Sequence, residues 1–421
     1  MKKIIASTGM LALGVAGLQA YNGDSAKSWN LHGALRGFYD SNSTTSAEGA
    51  EVESFGFGVE AGAGYNLPLD QTFFGLDYTY GLKWYEGRDT GETDQSHKVN
   101  LKLDHSFSER FKIELKDSLT VTTEPTVLDQ GGVVTAPRRT LSDALRNRAN
   151  LDFTAQFTPT LGIKTGYGNV FYDYDQDASD VPPLSPSRSQ LLDRMEHYIP
   201  ADFRYTVNPE TIALVGYQYG IVEYQDDSPY IVAPPGLGAA LVNPNWRDNT
   251  SHYVYGGVEH NFTPQLNGAL KAGIQHTEYD NANPLGLDQD RTSPYVDASM
   301  SYLYNPGSYV VLGYRHQNSS TDVTVQDAES DLVFISLTHK VTARLNASLN
   351  YQWQRMEFNQ GVSGGFDGQN EMFNIFGFNL SYMVNNYLTA EAGYNFDDLD
   401  SDIAGRSYQR HIGYIGIRAT Y

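Results

Sequence analysis

Two short stretches of the sequence contain the residue types of a hydrolytic active site. The segment GVSGG at residues 361–365 matches the G-x-S-x-G pattern, in which the serine is a nucleophile. A nucleophile elbow requires a strand before the serine and a helix after it, but this segment lies in a glycine-rich region that we predict to be an outer loop. The segment DHS at residues 104–106 lies on a predicted strand, where neighbouring side chains point to opposite faces and cannot form a triad. The sequence therefore predicts no catalytic residues, and we do not expect an enzyme.

A second set of residues has the chemistry of metal ligands. Asp173, Asp175 and Asp177 have the alternating spacing of carboxylates in a calcium loop, but the glycine and the later glutamate of such a loop are missing. The chain contains no cysteine, which excludes thiolate metal sites and disulfides, and its ten histidines lack ligand spacing. We interpret the aspartates as solvated outer-loop charge, with calcium or magnesium binding as the alternative, and we predict no metal site and no cofactor.

A basic cluster stands out because the chain is acidic. Its net charge of −21 argues against nucleic acid as a partner. Arg138, Arg139 and Arg146 lie in a predicted loop at residues 123–147, the longest connection that the sequence predicts. We hypothesise that this loop folds inward and narrows a pore, with its arginines facing inward carboxylates. The alternative is an exposed loop that contacts lipopolysaccharide phosphates.

The elements that would position these side chains are long strands in which apolar and polar residues alternate. In residues 346–353, Ala347, Leu349, Tyr351 and Trp353 share one face, and the polar residues between them share the other. Alternation with period two is typical of a β-strand. The alternating segments are longer than the ~5–6 residues of a soluble strand and are long enough for the ~9–11 residues of a tilted membrane strand. The mean hydropathy of −0.44 argues against a helical membrane protein, which needs apolar runs of ~20 residues.

Short turns form an internal repeat along the chain. Each begins with an apolar or aromatic residue, continues with Asn, Ser or Thr, and often contains Pro, which presets the backbone angle φ for a turn. The turns lie at residues 65–68, 107–110, 157–160, 207–210, 262–265, 304–307, 341–344 and 384–387. Eight hairpins, with one strand before them (about 28–40) and one after them (about 408–421), predict eighteen strands. An even number places both termini on one side, so the short turns are periplasmic and the long loops extracellular.

The two ends of the chain carry predicted export signals. Residues 1–20 have a basic start at Lys2 and Lys3, an apolar stretch too short to span a membrane, and a small residue, Ala20, at the expected cleavage site. We predict a signal peptide at residues 1–20 and one barrel at residues 21–421. The last strand alternates and ends in the aromatic Tyr421, a pattern similar to the insertion signal through which barrels engage the barrel-assembly machinery.

Three stretches carry a resemblance to a known family. They are WNLHGALRGFYDSN at 29–42, NLPLDQTFFGLDYTYGLKWYEGR at 66–88 and HKVNLKLDHSFSERFKIELKDSL at 97–119. They resemble the putative β-barrel porin family of Gram-negative outer-membrane proteins. The resemblance implies an outer-membrane location, an antiparallel up-and-down β-barrel and a porin role. Its motifs are strand and turn patterns, so it transfers no binding or catalytic residue.

A barrel of eighteen strands leaves an aqueous channel unless something fills it. Its inward face is predicted to carry charges of both signs, which need water or partners. The pore-lining candidates are Arg36, Glu60, Lys83, Lys98, Lys102, Asp104, Lys112, Glu114, Arg194 and Arg204. This pattern favours passive diffusion of small hydrophilic solutes. The alternatives are a substrate-specific channel with Phe38, Tyr253 or Tyr255 as a stacking track, and a closed structural or adhesin barrel neutralised by internal salt bridges.

The predicted partners follow from the predicted location. They are outer-membrane lipid and lipopolysaccharide, the barrel-assembly machinery and small polar solutes. Homotrimers are common among large porins, but no residue of the sequence identifies a subunit interface. Aromatic residues cluster at the predicted strand ends, as expected for girdles at the two membrane interfaces. We place His97, His105, His260 and His339, which also lie near strand ends, at an interface or on the lumen wall.

Overall fold

The computed structural model describes residues 28–123, 133–139, 143–183, 185–232, 240–281, 290–361 and 368–421. The predicted signal peptide at residues 1–20 lies outside these ranges and stays a prediction. Of the loop predicted at residues 123–147, the structure describes residue 123, residues 133–139 and residues 143–147.

Eighteen strands pair in one antiparallel sheet, and two more form a separate hairpin. The alternating sequence allows each barrel strand to place polar side chains on the inner face and apolar side chains on the outer face. In chain order the strands are β1 (Trp29–Asp40), β2 (Ser54–Pro68), β3 (Thr72–Tyr85), β4 (Thr93–Ser106), β5 (Phe111–Thr122), β6 (Ala144–Gln156), β7 (Leu161–Tyr174), β8 (Arg194–Asn208), β9 (Thr211–Tyr224), β10 (Tyr230–Val232), β11 (Ala240–Val242), β12 (Asn249–Asn261), β13 (Leu266–Tyr279), β14 (Arg291–Asn305), β15 (Ser308–Ser319), β16 (Val325–Lys340), β17 (Leu345–Gly361), β18 (Asn370–Met383), β19 (Leu388–Ser401) and β20 (Tyr408–Thr420).

The sheet closes into a barrel through its first and last strands. β1 pairs with β2 and also with β20, from His32 opposite Thr420 to Asp40 opposite Ile412. Closure leaves no free edge whose backbone groups would lack hydrogen-bond partners in lipid. The predicted fold class, an antiparallel up-and-down barrel of eighteen strands, is confirmed.

Two predictions about the connections are wrong. β2 continues through Pro68 because its pairing with β3 extends to Pro68 opposite Phe73, so the first short turn comprises residues 69–71 and not 65–68. The connection from β9 to β12 at residues 225–248 is longer than the connection from β5 to β6 at residues 123–143. The longer connection contains the hairpin β10–β11, which pairs only with itself.

Two short helices lie in the outer loops. Helix α1 (Arg188–Leu192) begins with a capping box in which Ser187 and Gln190 bond to each other's backbone N–H groups. A 3-10 helix spans Pro244–Arg247. Leu191 and Leu192 of α1 pack with Tyr230, Val242 and Trp246 in a small apolar core, which explains why this long connection folds back on itself. Among the described residues, no helix is long and apolar enough to cross a bilayer.

Apolar and aromatic side chains form a band on the outer face of the barrel. Phe203, Val215 and Ile415 are 52%, 65% and 71% exposed, although each is strongly apolar. Exposed side chains of this kind recur from strand to strand, and such a band is stable when lipid covers it. Exposed aromatic residues such as Phe107 and Phe262 follow the strands at the short-turn end, as in an interfacial girdle.

Candidate solute pathway

Four charged side chains on neighbouring strands form a closed network on the inner wall. Arg36 of β1 bonds to Glu60 of β2 at 3.1 Å and to Glu391 of β19 at 2.9 Å. Arg418 of β20 bonds to the same two carboxylates, at 3.0 Å and 2.7 Å. Each guanidinium therefore lies between two carboxylates, and the charges of the network cancel. Barrel closure creates it, because only closure makes β1 a neighbour of β20.

We expect Glu391→Ala to destabilise the barrel by about 1–3 kcal/mol, because it leaves Arg36 and Arg418 without one of their two carboxylates. The measurement is urea unfolding in lipid vesicles, followed by tryptophan fluorescence. Glu357→Ala is the matched control, because Glu357 and Arg355 form an ion pair in which the side chains are 41% and 40% exposed. Exposed pairs contribute little to stability, so equal losses in the two variants would contradict the expectation.

The other predicted pore-lining residues also face the lumen, and most of them pair with a neighbour on the wall. The pairs on the inner wall include Lys102–Asp104 (3.0 Å), Lys112–Glu114, Lys164–Asp152 (3.5 Å), Arg194–Glu196 (2.7 Å), Arg204–Glu259 (2.6 Å) and Lys271–Asp202 (2.8 Å). Lys83 lies opposite Asp94 in the register of β3 and β4. The paired charges brace the wall, so the field inside the lumen depends on the charges that remain unpaired.

Three inward cations on adjacent strands form no ion pair within the described part of the chain. They are Lys98 of β4, Lys116 of β5 and Arg148 of β6, and we call them the basic strip. The register brings them together, because Lys98 lies opposite Thr120 and Arg148 lies opposite Ser118 of β5. The Nε atom of Arg148 is buried and has no hydrogen-bond partner among the described residues. The basic strip is the part of the wall to which an anionic solute would be drawn.

Residues 133–139, which we call the mouth segment, cross the extracellular end of the lumen. The side chain of Gln354 in β17 donates to the carbonyl of Val134 at 2.9 Å and accepts from its N–H at 2.8 Å. Tyr408 of β20 donates its hydroxyl to the carbonyl of Pro137 at 2.7 Å. Arg139 donates to Asp94 of β4 at 2.7 Å. Since six strands separate β17 from β4 around the barrel, the segment is fixed to well-separated parts of the wall.

Charges in the outer loops fasten the mouth segment from above. Asp322, between β15 and β16, bonds to Arg188 and to Arg406, each at 2.7 Å. Arg188 also donates to the carbonyl of Arg138 at 3.0 Å. Burial by itself would raise the pKa of Asp322, but the guanidinium groups of Arg406 and Arg188 outweigh burial and lower that pKa below its ordinary value. Asp322 is therefore ionised at neutral pH and ties three loops together.

The three arginines predicted for the constriction loop have different places. Arg138 and Arg139 belong to the mouth segment, and Arg139 meets an inward carboxylate at Asp94. Arg146 does not belong to the loop, which corrects the prediction. β6 begins at Ala144 because its alternation and its pairing with β5 begin there, so Arg146 lies on the wall opposite Thr120. Its guanidinium lies 5.5 Å from the centre of the Tyr172 ring.

A cavity of about 200 Å³ lies between the mouth segment and the wall formed by β6 to β15. Val133 and Thr135 line it on the side of the segment, and Arg148 of the basic strip lines it on the wall. A second cavity of about 60 Å³ is lined by Arg204 and Lys271 and shares several wall residues with the first. The two cavities mark a path along this wall, from the mouth toward the short-turn end.

The three aromatic residues predicted as a stacking track do not form one. Tyr253 and Tyr255 both pack against Tyr295, with ring centres 5.3 Å and 5.6 Å apart, and Tyr253 and Tyr295 line the larger cavity. Phe38 instead packs against Tyr85 at 5.0 Å, because β1 and β3 lie on another part of the wall. The larger cavity is also lined by Tyr172, Tyr198 and Tyr279. These tyrosines are not among the predicted stacking residues, although their strand positions point inward.

Asp193, which follows α1 in an outer loop, has an unusual acidity. Its carboxylate accepts a hydrogen bond from the backbone N–H of Tyr174 at 2.8 Å. Burial raises the pKa of Asp193 to about 7; the bond from Tyr174 opposes this rise, and the negative charges of Asp173 and Asp226 add to it. The folded loop therefore binds this proton more tightly than an unfolded chain, in which aspartate has a pKa of ~3.9.

We expect the outer loop to lose stability as the pH rises from ~4 to ~7, because the folded pKa of Asp193 is raised and its ionised form is disfavoured. The backbone N–H of Gln225 donates to the carbonyl of Asp193 at 3.0 Å. The protection of the Tyr174 and Gln225 amides against hydrogen exchange, corrected for intrinsic rates, should be greater at pH 5 than at pH 8. Asp193→Asn keeps an oxygen acceptor for Tyr174 but cannot ionise, so its protection should change less with pH. An equal pH dependence in the variant and the wild type would contradict this assignment.

In the part of the chain that the structure describes, neither of the two segments with hydrolase-like residues has the local structure that a catalytic site would need. β17 ends at Gly361 and β18 begins at Asn370, so GVSGG lies between two strands, and residues 362–367 are outside the described ranges. His105 bonds to Thr72 at 2.7 Å on the outer face, whereas Asp104 bonds to Lys102 on the inner face. Within the described residues, no group of three or more histidine, aspartate or glutamate side chains could hold a metal ion.

The residues that hold the mouth segment are not among the predicted site residues, although the sequence contains a signal for them. Phe373, Ile375 and Leu399 are inward positions by alternation, yet they are apolar and only 2% exposed. Val134 covers them. An apolar patch on the inner face of a wet barrel needs such a cover, so these residues could have indicated an element inside the lumen.

Residues 246–421 match the model of the family described as "Putative beta-barrel porin 2". The match confirms the predicted family resemblance, although it lies outside the stretches at 29–119 on which the prediction rested. With the apolar outer band, it also confirms the predicted location in the bacterial outer membrane. No curated protein matches the chain.

Several solved structures are similar to the barrel at low sequence identity. The siderophore receptor PiuA from Acinetobacter baumannii has a TM-score of 0.45 at 10% identity, over 94% of this chain and 82% of that chain. OccAB4 from A. baumannii has a TM-score of 0.43 at 13% identity, over 95% and 100% of the two chains. OccK2 from Pseudomonas aeruginosa, solved with glucuronate, has a TM-score of 0.45 at 10% identity, over 93% and 98%.

Proposed function

We propose that this protein is a channel for passive passage of small hydrophilic solutes across the outer membrane. The observation that carries the proposal is the inner wall, where charges of both signs line a closed barrel of eighteen strands. Such charges are stable when water or a counter-charge reaches them, and a barrel of this size encloses an aqueous lumen. The cavities along the wall from β6 to β15 provide the path.

The mouth segment favours a second candidate, a channel that selects its solutes. A segment fixed by Gln354, Tyr408 and Asp94 restricts the lumen at its extracellular end. The solute that passes must then fit between the segment and the wall that carries Arg148. Small anionic or zwitterionic solutes suit this wall, since the basic strip forms no ion pair with the residues that the structure describes.

We propose no catalytic activity for this protein. We propose three further partners, which are the barrel-assembly machinery, lipopolysaccharide and further copies of the same chain. Support for a non-enzymatic role comes from the two segments with hydrolase-like residues: GVSGG lies between two strands, and Asp104 and His105 lie on opposite faces of one strand. Tyr421 stacks on Tyr387 at the short-turn end, with ring centres 6.3 Å apart, where the barrel-assembly machinery would meet it. Lipopolysaccharide would surround the long-loop end. A homotrimer stays a prediction, which the mass of the purified protein in detergent tests.

Single-channel recording of the purified, refolded protein in a planar bilayer tests the proposed function. Stable ohmic steps are the expected result, and the reversal potential in a salt gradient then gives the sign of the selectivity. Repeated insertion without any steps would contradict a channel and favour the closed structural or adhesin barrel.

A further inference from the structure

Nine of the ten histidines lie on the outer face of the barrel and not on the lumen wall. Three of them, His105, His260 and His339, lie near the short turns, and six lie near the long loops: His97, His197, His252, His276, His316 and His411. Only His32 points inward, where it bonds to Thr79. For His97, His105, His260 and His339 we predicted either a membrane interface or the lumen wall, and their outward positions exclude the lumen wall.

Four histidines at the long-loop end share one arrangement with a tyrosine of the preceding barrel strand. The Nδ1 atom of each histidine bonds to the tyrosine hydroxyl, and each bond lies on the exposed outer surface. The pairs are Tyr78–His97 (2.9 Å), Tyr167–His197 (2.6 Å), Tyr217–His252 (2.7 Å) and Tyr394–His411 (2.7 Å). Each histidine is the fourth or fifth residue of its strand, counted from the long-loop end, so the four lie at a similar depth in the membrane.

The arrangement is a structural repeat with a sequence signal. The tyrosine follows a glycine in the middle of its strand in three of the four copies, at residues 166–167, 216–217 and 393–394. The glycine is needed in two of them because the inner face is crowded: a Cβ at Gly216 would lie 2.1 Å from the ring of Tyr255, and one at Gly393 would lie 2.3 Å from that of Tyr414. A fifth copy has Tyr314 bonded to Asp331, which takes the place of histidine.

The hydrogen bond fixes which side of each imidazole is available. A phenol hydroxyl is a good donor, so we assign Nδ1 as its acceptor, which places the proton of the neutral ring on Nε2. In the described part of the structure, the Nε2 atoms of His97, His197, His252 and His411 have no hydrogen-bond partner. Each ring therefore presents an N–H donor to the surroundings of the barrel.

Aromatic packing holds three of these rings in place. His97 packs against Tyr80 with ring centres 5.1 Å apart, His252 against Tyr219 at 5.2 Å, and His411 against Phe396 at 4.8 Å. A ring that is fixed on one side by a hydrogen bond and on its face by an aromatic neighbour loses little freedom when Nε2 binds a ligand.

The described strands offer almost no cationic side chain to the membrane. Among the lysines and arginines of the described barrel strands, Arg355 alone lies at an outward position, and it is already bonded to Glu357 and Asn370. The chain as a whole has a charge of −21. Anionic headgroups around the barrel would therefore meet few cations, and neutral N–H donors can bind phosphate oxygens without a fixed positive charge.

We propose that His97, His197, His252 and His411 form a ring of donors that binds the phosphate groups of lipopolysaccharide in the outer leaflet. Each Nε2–H donates to a phosphate oxygen, and the tyrosine hydroxyl holds the imidazole in the orientation that this contact needs. The ring rests on the outer-membrane location and lies outside the lumen, so it is independent of whether the barrel conducts.

The test is the amount of lipopolysaccharide that stays bound when the protein is extracted from outer membranes in a mild detergent and analysed by native mass spectrometry. The variant H97F/H197F/H252F/H411F keeps the aromatic packing but loses the donors, so it should retain severalfold less lipopolysaccharide than the wild type. The variant H97Q/H197Q/H252Q/H411Q has an amide N–H at a similar reach and should retain more than the phenylalanine variant. Unchanged retention in the phenylalanine variant would overturn the proposal.

The histidines at the short-turn end provide the matched control. H105F/H260F/H339F alters the same residue types opposite the inner leaflet, where lipopolysaccharide is absent, and should retain as much as the wild type. An equal loss in this variant would overturn the proposal, because it would show a general effect of removing surface histidines. Single-channel conductance should be unchanged in both variants, so a barrel that fails to conduct counts against the proposed function and not against the ring.

The wild-type protein gives an independent measurement if the phenylalanine variant does not fold. Diethyl pyrocarbonate modifies accessible imidazole nitrogens, and mass spectrometry locates the modified residues. In vesicles that contain lipopolysaccharide, His97, His197, His252 and His411 should be modified severalfold more slowly than in phosphatidylcholine vesicles. Equal rates in the two kinds of vesicle would contradict phosphate binding at these positions.

Discussion

Deletion of residues 126–138 should raise the single-channel conductance by roughly twofold or more, because it removes most of the mouth segment from a lumen that eighteen strands would otherwise leave open. The segment crosses the extracellular end between Gln354 and Asp94 and covers the apolar inner patch at Phe373. Conductance depends on the narrowest part of a pore, so the effect should exceed that of any single substitution on the wall. Recording in a planar bilayer at symmetric salt gives the measurement.

A milder variant tests whether the contacts of the segment hold it in place. Gln354→Ala removes both hydrogen bonds to the backbone of Val134 and should give noisier steps with a smaller rise in conductance. Arg355→Ala is the matched control, because Arg355 is the next residue of the same strand and points outward. Equal conductance in the deletion variant and the wild type would show that the mouth segment does not restrict the flow of ions.

The double variant Lys116→Glu/Arg148→Glu should reverse the ion selectivity of the channel. In the wild type the inward carboxylates named above bond to neighbouring cations, whereas the three cations of the basic strip form no ion pair with a carboxylate of the described residues. The local potential should therefore be positive and favour anions. Two substitutions that each replace a positive with a negative charge turn this potential negative, so the reversal potential in a salt gradient should change sign.

Two comparisons make this result specific to the strip. Lys116→Gln/Arg148→Gln should only weaken the selectivity, since it removes the positive charges without adding negative ones. Arg355→Glu makes the same change of charge as each of these two substitutions, but on the outer face, and should leave the reversal potential unchanged. If the double glutamate variant keeps the anion preference of the wild type, the basic strip does not control the passing ions.

The sequence by itself determined the strands, their faces and their order around the barrel. Period-two alternation acts within one strand, and a short turn fixes the register of the two strands that it joins, so both are local properties. The closed network of Arg36, Glu60, Glu391 and Arg418 shows the limit of what the local sequence determines. The alternation placed Arg36, Glu60 and Glu391 on the inner face, but only the closure of β1 on β20 brought each guanidinium within 3.1 Å of both carboxylates.

Only the tertiary structure decided which segment crosses the lumen and which side chains contact each other on the two faces of the barrel. The mouth segment has no periodic pattern, and its partners Gln354 and Asp94 are on distant strands, so no local rule predicts its path. The same limit applies to Phe38, Tyr253 and Tyr255, which all point inward but lie on different parts of the wall. It applies also to Tyr78 and His97, whose bond depends on the register of β3 and β4. Contacts of this kind follow from the closed shape and its stagger, which no single segment of the chain contains.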